Sequence, residues 1–310
     1  MKHKDEGWGW MLSLDFFFVG MGSGMLIIGG LVDLFIGEGR TSVLGNFLGP
    51  VLMAIGPAFL TLELGKPTQA WRVFMNPKAI LTVGAWVMSM AIGIGFMYAS
   101  FGIEMLPWSY GFGFVRKLLA IACVVFGVVS GIYPGMLLGR HKARPFWNGP
   151  GIISLFFLSS LVTGVAGHSL CGLIMAAPTL SDVLRNLPLL IEGLLGLQLL
   201  LWGGYIWVKR SGGTEAEATA TKRWISGDLS MAFKFGVILC GTLLPMVLVL
   251  MPGAIFQGIG AGLVVLGGLI MRMLVVRSGE DRTWLPGEQK YRSRLPGGDE
   301  AFLKKAWNIK

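Results

Sequence analysis

Eight apolar runs, each long enough to cross a bilayer, follow one another along this chain and leave little room for anything else. They fall at roughly 12–36, 42–64, 79–101, 112–139, 150–177, 187–208, 229–250 and 253–276. A helix needs about 20 predominantly apolar residues to span the hydrocarbon core, and every run meets that length. Inside lipid the backbone must satisfy its own hydrogen bonds, so only helices or a closed barrel can cross. Barrel strands are short and alternate in polarity, whereas these runs are long and continuous. The chain is therefore expected to be an all-α integral membrane protein of eight transmembrane helices, arranged as two four-helix bundles. One membrane domain takes residues 1–276, and a polar tail takes 277–310. Only 14% of the 310 residues are charged, against about 25% in a soluble domain. The residues before the first run are mixed in charge (Lys2, Lys4, Asp5, Glu6), so that run reads as a retained helix and not as a cleaved leader.

An even number of spans brings both ends to one face, here called side A. The loops near 65–78, 140–149 and 209–228 share that face, and the last of these reads as a polar loop. Of 26 Lys and Arg, Lys234 and Arg272 lie inside spans, four (Arg40, Arg116, Lys117, Arg185) fall on side B, and twenty fall on side A. By the positive-inside rule side A is cytoplasmic. The formal charge of +9 is then mostly a topology signal and not a nucleic-acid footprint.

The three cysteines, Cys123, Cys171 and Cys240, stand singly in apolar runs, with no C-x-x-C pair to seed a zinc or iron–sulfur site. Of the three histidines only His168 is deep in a span, so a haem held by two histidines has no ligand pair. The chain is expected to carry no haem, no iron–sulfur cluster and no metal.

In "GVVSGIYPGMLLG", Gly127, Gly131, Gly135 and Gly139 stand at four-residue spacing. Each step turns about 40° on a helix, so the four make one slowly drifting stripe. Small residues let helices approach closely in lipid, which makes the stripe a packing seam. Tyr133 falls on the opposite face, and Pro134 leaves the carbonyl of Ser130 without its usual donor. A free acceptor beside a phenol suits a ligand; an interfacial anchor is the other reading of Tyr133. Asp15 sits one turn inside the first span and Glu63 closes the second, with Lys234 and Arg272 near the side A ends of theirs. Each alone could be interfacial; together with Tyr133 they point to a polar pocket open to side A. In the other half, Asp33, Arg116, Lys117 and Glu192 are shallow. His168, in "GVAGHSLCG", is deep, and reads either as a strut to a facing carbonyl or as a proton-transfer group. The proton-transfer candidates are His168, Glu63, Asp33, Glu192 and Arg116.

Five short segments in this order, "LDFFFVGMGSG" (14–24), "LELGKP" (62–67), "WRVFMNP" (71–77), "GIYPGMLL" (131–138) and "RPFWNGP" (144–150), resemble the polysulfide reductase membrane-subunit family of the NrfD type. The resemblance covers residues 8 to about 175; beyond that it is carried by the span count. It implies a subunit of the prokaryotic cytoplasmic (inner) membrane that binds a quinone, menaquinone or ubiquinone, and holds no prosthetic group. Such a subunit exchanges two electrons with a ferredoxin-like iron–sulfur partner, which serves a molybdopterin or multihaem cytochrome catalytic subunit. The quinone pocket lies among the first four helices, near the face where the partner docks. Tyr133 is implied as the quinone's hydrogen-bond donor, with Glu63 and Asp15 beside it. Asp15 departs from the pattern, since other polar types occur there in relatives. The basic loop, through Arg140, Lys142, Arg144 and Trp147, is the candidate docking surface for an acidic partner, a reading that competes with its use as a topology signal. In many relatives that partner is extracytoplasmic, whereas the charge count puts side A in the cytoplasm. A secondary transporter and a passive anchor are the competing readings. Against a transporter, the charges gather near the two surfaces and no broken-helix pair recurs in corresponding halves.

Overall fold

The computed structural model describes residues 9–63, 67–76, 79–109, 111–141, 144–175 and 181–280. Among them there is no strand, and eight helices are long and apolar enough to cross a membrane. Helices α1 (Trp10–Phe35), α2 (Val43–Glu63), α3 (Ile80–Ser100), α4 (Gly113–Gly139) and α5 (Gly151–Met175) begin within about two residues of the expected starts. Helix α6 (Ser181–Ser211) starts earlier than expected and runs longer. A short helix, α7 (Glu215–Ser226), follows it. The seventh span is wound as a π-helix over Ala232–Leu243 and continues as α8 (Leu244–Leu250), and α9 (Ala254–Arg277) is the last. Pro245 has no N–H to give, and Thr242 donates its hydroxyl to the Val237 carbonyl five residues back (2.8 Å), so the wider winding lies just ahead of the proline.

Helix α1 is the axis of the molecule. It packs against α2, α4, α5 and α9, and most of its side chains are buried. Helices α1 to α4 touch in a ring, and α5, α6, the seventh span and α9 touch in another. No break in the core marks a boundary between these sets. One apolar cluster joins Leu12 and Phe16 of α1 to Trp202, Trp224 and Val275, and another joins Ile28 and Val32 to Ile191 and Val264. The outer faces carry large exposed apolar residues such as Phe114, Trp86 and Leu200, as a lipid-facing surface requires.

The glycine stripe of α4 is a seam. A Cβ at Gly127 would stand 3.0 Å from the Ser23 carbonyl of α1, and one at Gly135 would stand 2.6 Å from the Ile153 Cα of α5. The stripe therefore passes from α1 to α5 as it drifts, leaving Tyr133 to face the other way.

Two segments differ from expectation. The polar loop at 209–228 contains α7, started by a capping box in which Thr214 Oγ1 accepts from the Glu217 N–H and the Glu217 carboxylate accepts from the Thr214 N–H (2.9 Å). Burial would push the Glu217 carboxyl up, but bonds from Lys209 and Thr214 hold it below its ordinary range. Trp224 of α7 stacks on Phe146 (centroids 4.5 Å apart), which docks the short helix on the core. The second segment is a 3₁₀ helix, Pro67–Met75, between α2 and α3 on side A. Thr82 staples it by donating to the Val73 carbonyl (2.6 Å), and Phe74 meets Trp86 edge to face. Trp71 and Met75 are left exposed, as in a segment lying along the lipid–water boundary.

Candidate functional site

The first helix brings Asp15 into the ring of α1 to α4 on side A. The carboxylate is buried at 4% exposure, and its Oδ1 atom has no hydrogen-bond partner among the described residues. Room for it comes from α2, where a Cβ at Gly56 would stand 2.9 Å from that oxygen. On α4, Tyr133 faces α3, where a Cβ at Gly84 would lie 2.7 Å from the phenol oxygen. Its hydroxyl makes no hydrogen bond among the described residues, and the Asp15 carboxylate is near enough to act on the phenol electrostatically. Two glycines on facing helices thus clear space for a free donor and a free acceptor. A buried polar atom without a partner costs about 1–3 kcal/mol, so the orphaned Asp15 oxygen makes this ring of helices the candidate ligand site. Glu63 closes α2 on the same side, with its side chain outside the described residues.

The other intramembrane cations do not join this group. Lys234 is exposed on the seventh span. Arg272 is fully buried, donating to the Phe16 carbonyl and Ser159 Oγ (both 3.0 Å). The expected pocket of four charged residues and a phenol therefore reduces to Asp15 and Tyr133 among the described side chains.

The docking surface also needs correction. Trp147 is fully buried, its indole N–H donating to the Val275 carbonyl (2.7 Å), and Arg144 is buried with its guanidinium on the Gly279 carbonyl and over the Trp147 ring. Tyr205 donates to the Phe146 carbonyl, and Lys209 donates to the carbonyls of Pro145 and Asn148 and pairs with Glu217. Segment 144–150 is thus a plug that ties α4 and α5 to the ends of α6 and α9, and it proves that these ends share side A. Of the three that are described, Arg140 alone is exposed; Lys142 lies outside the described residues, as does the tail from 281 onward.

On side B, Asp33 and Arg116 form a buried ion pair (2.6 Å). Tyr98, not singled out from sequence, donates to the Gly29 carbonyl (2.9 Å). His168 Nε2 meets the Met25 carbonyl at 2.9 Å. Glu192 stands half-buried on α6, apart from these groups, with no hydrogen bond among the described residues. A cavity of about 460 Å³ opens elsewhere, between α5, α6 and α7, with Leu201, Gly204 and Tyr205 in its wall and Lys209 and Glu217 at its rim. Neither Asp15 nor Tyr133 lines it. Among the described residues no three His, Cys, Asp or Glu converge as metal ligands.

A model of the family described as "Polysulphide reductase, NrfD" matches residues 2–281. No curated protein matches the chain.

Proposed function

The chain belongs to the polysulphide reductase NrfD family, whose members are membrane subunits of oxidoreductase complexes, and on that premise we propose that it binds a quinone or quinol at Asp15 and Tyr133 and exchanges electrons with an iron–sulfur partner on side A. The observation that carries this reading is the buried Asp15 Oδ1, without a partner among the described residues, in the same ring of helices as the Tyr133 phenol. Oxidation of a quinol releases two protons and two electrons, and reduction takes up the same. Tyr133 orients the ring by donating to one oxygen, and Asp15 takes up or returns a proton at Oδ1. Gly56 and Gly84 leave the space that the Asp15 carboxylate and the Tyr133 ring occupy. The exposed 3₁₀ helix between α2 and α3 gives an isoprenoid tail a route from the lipid. The electrons pass to a cluster held by the partner, which serves a molybdopterin or cytochrome subunit, and a site close to side A keeps that transfer short.

A photoreactive quinone applied to membranes holding the complex tests the assignment. Labelling is expected on peptides of α1 and α4, with suppression by excess unmodified quinone. Specific labelling confined to the cavity beside Tyr205 and Lys209 would move the site to the other half of the molecule. Absence of competable labelling would refute quinone binding.

Side A is assigned to the cytoplasm on its twenty cations against four. A cytoplasm-only fluorescent reporter fused after Lys310 is expected to light up. Alkaline phosphatase activity from the same position, with no fluorescence, would place the partner outside the cell.

A further inference from the structure

The cavity of about 460 Å³ is a groove between two membrane-crossing helices, α5 and α6, and it has a direction. Its wall on α6 runs from Leu200 to Gly213, about 20 Å at the 1.5 Å rise of a helix. The deep end is apolar, with Leu200, Leu201 and Gly204 in the wall, and Leu200 and Val208 are exposed at the level of the lipid chains. Asn148, Lys209 and Glu217 lie at the opposite end, where α5 starts and α6 stops. That end is on side A, at the level of the headgroups. Spread over its length, the volume leaves a mean section of about 20 Å². A helix with its side chains is about 10–12 Å across, so a membrane helix of a partner or of a second copy is too broad to fill the groove. A single hydrocarbon chain is narrow enough.

The polar end offers donors without acceptors. Lys209 is fully engaged, with the carbonyls of Pro145 (3.0 Å) and Asn148 and with the Glu217 carboxylate. The rim pair is therefore neutral as a unit and holds the wall in place. Beside it, the N–H groups of Gly149 and Gly151 and the Asn148 side-chain amide have no acceptor among the described residues. The two backbone groups precede the first turn of α5, where no helical carbonyl can reach them. All three belong to residues of the groove's wall. The positive end of the α5 dipole falls at the same place, and such an end favours an anion, phosphate above all. The groove thus pairs an apolar trough of membrane depth with a phosphate-compatible mouth at headgroup depth.

We propose that this groove holds one glycerophospholipid, with an acyl chain between α5 and α6 and its phosphate at the start of α5. Lipid chains are as apolar as the wall, so filling the groove brings no hydrophobic gain over the bulk bilayer. What keeps one molecule in place is the set of bonds that its phosphate accepts from Gly149, Gly151 and Asn148. The bound lipid rests against Pro150 and Gly151, the point where the 144–150 plug passes into α5, and so finishes the packing of side A at its lipid-facing edge.

Native mass spectrometry of the full-length chain, stripped of lipid in detergent and titrated with palmitoyl-oleoyl-phosphatidylethanolamine, tests this. Wild type is expected to take up one molecule well before any others. In Gly204→Leu the new side chain enters the groove, and since nothing lies within 4 Å of an added Cβ there, the fold is kept. Its affinity for that first lipid should fall about tenfold or more. Gly203→Leu is the control: its added Cβ also meets nothing, and Gly203 is exposed but outside the groove's wall. It should bind as wild type does. Palmitoyl-oleoyl-glycerol, which has the same chains and no phosphate, should bind about tenfold more weakly. Equal affinities for Gly204→Leu and wild type, equal losses in the two leucine variants, or equal binding of the phosphate-free lipid overturns the proposal. A phospholipid with a diazirine on its acyl chain tests the wild-type chain should the variants not fold. It is expected to label the facing walls of α5 and α6, undiminished by excess decyl-ubiquinone. Labelling elsewhere, or displacement by the quinone, also overturns it. Neither measurement involves the Asp15 pocket, so the quinone assignment and this one fail separately.

Discussion

Replacing Asp15 with Asn is expected to lower quinol-linked turnover of the assembled complex by about 10²-fold or more, the range set by losing a positioned proton acceptor. The substitution preserves shape, and Asp15 Oδ1 bonds to nothing among the described residues, so no hydrogen bond seen there is lost. Removing an unpaired buried carboxylate should leave the melting temperature equal or raise it. Tyr133→Phe keeps the ring against Gly84 and removes only the hydroxyl. It should likewise lower turnover while leaving assembly intact. The double variant should be little worse than the poorer single one, because donor and acceptor serve one ring. Quinol kinetics and thermal unfolding on the same preparations decide the matter. Normal turnover by Tyr133→Phe would return that phenol to the role of an interfacial anchor. A loss of turnover matched by a loss of stability would make Asp15 a structural residue.

Gly164→Ala is expected to abolish the folded protein, although it adds one methyl. At the crossing of α1 and α5, a Cβ on Gly164 would stand 2.6 Å from both the Gly24 Cα and the Met25 nitrogen. Those atoms are backbone, so no rotamer change relieves the clash and α1 must move. Overpacking a core costs about 1–3 kcal/mol where side chains can shift, and here they cannot. Gly131→Leu should also be damaging, but an added Cβ there meets the Ser23 Oγ at 3.1 Å and the Phe157 ring at 3.5 Å, which are side chains. Gly193→Ala on α6 is the control, since nothing lies within 4 Å of its added Cβ. The yield of monodisperse protein should fall to background for Gly164→Ala and stay at wild-type level for Gly193→Ala. Equal yields would mean that α1 and α5 do not cross at these glycines.

The spans could be read closely from sequence because hydrocarbon thickness fixes their length and their composition follows. The drift of Gly127, Gly131, Gly135 and Gly139 was legible for a similar reason, since helical geometry alone sets which face they share. Long-range partners were not. Nothing local marks Trp147 as destined for the Val275 carbonyl, and a basic, aromatic loop looks the same whether it faces a partner or the end of α9. Arg272 looked interfacial from its place near the end of α9; its depth comes from α1 and α5 closing over it. Helix α7 carried its own signal, the Thr214-x-x-Glu217 box, within a loop whose Ala and Thr content hid it. Tyr98 is one residue near a helix end by sequence, and only the fold sets it against the Gly29 carbonyl. Asp15 and Tyr133 were placed side by side by the resemblance, and Gly56 and Gly84, which make space for them, could not be paired with them without the packing of α2 and α3.

The bond from Arg272 to the Phe16 carbonyl spans 256 residues, and that separation governs how the protein can be made. The first helix to leave the ribosome is the one whose neighbours include the last. When α9 enters the bilayer it brings a guanidinium that costs roughly 2.5–3.5 kcal/mol near mid-membrane if nothing receives it. Its receptors, the Phe16 carbonyl and the hydroxyls of Ser159 and Ser160, are made long before. The earlier helices must therefore wait in the membrane with a slot open, and the final span completes them. Maturation waits for α9, and a nascent chain halted before it is left with a polar notch in lipid that quality-control proteases can recognise.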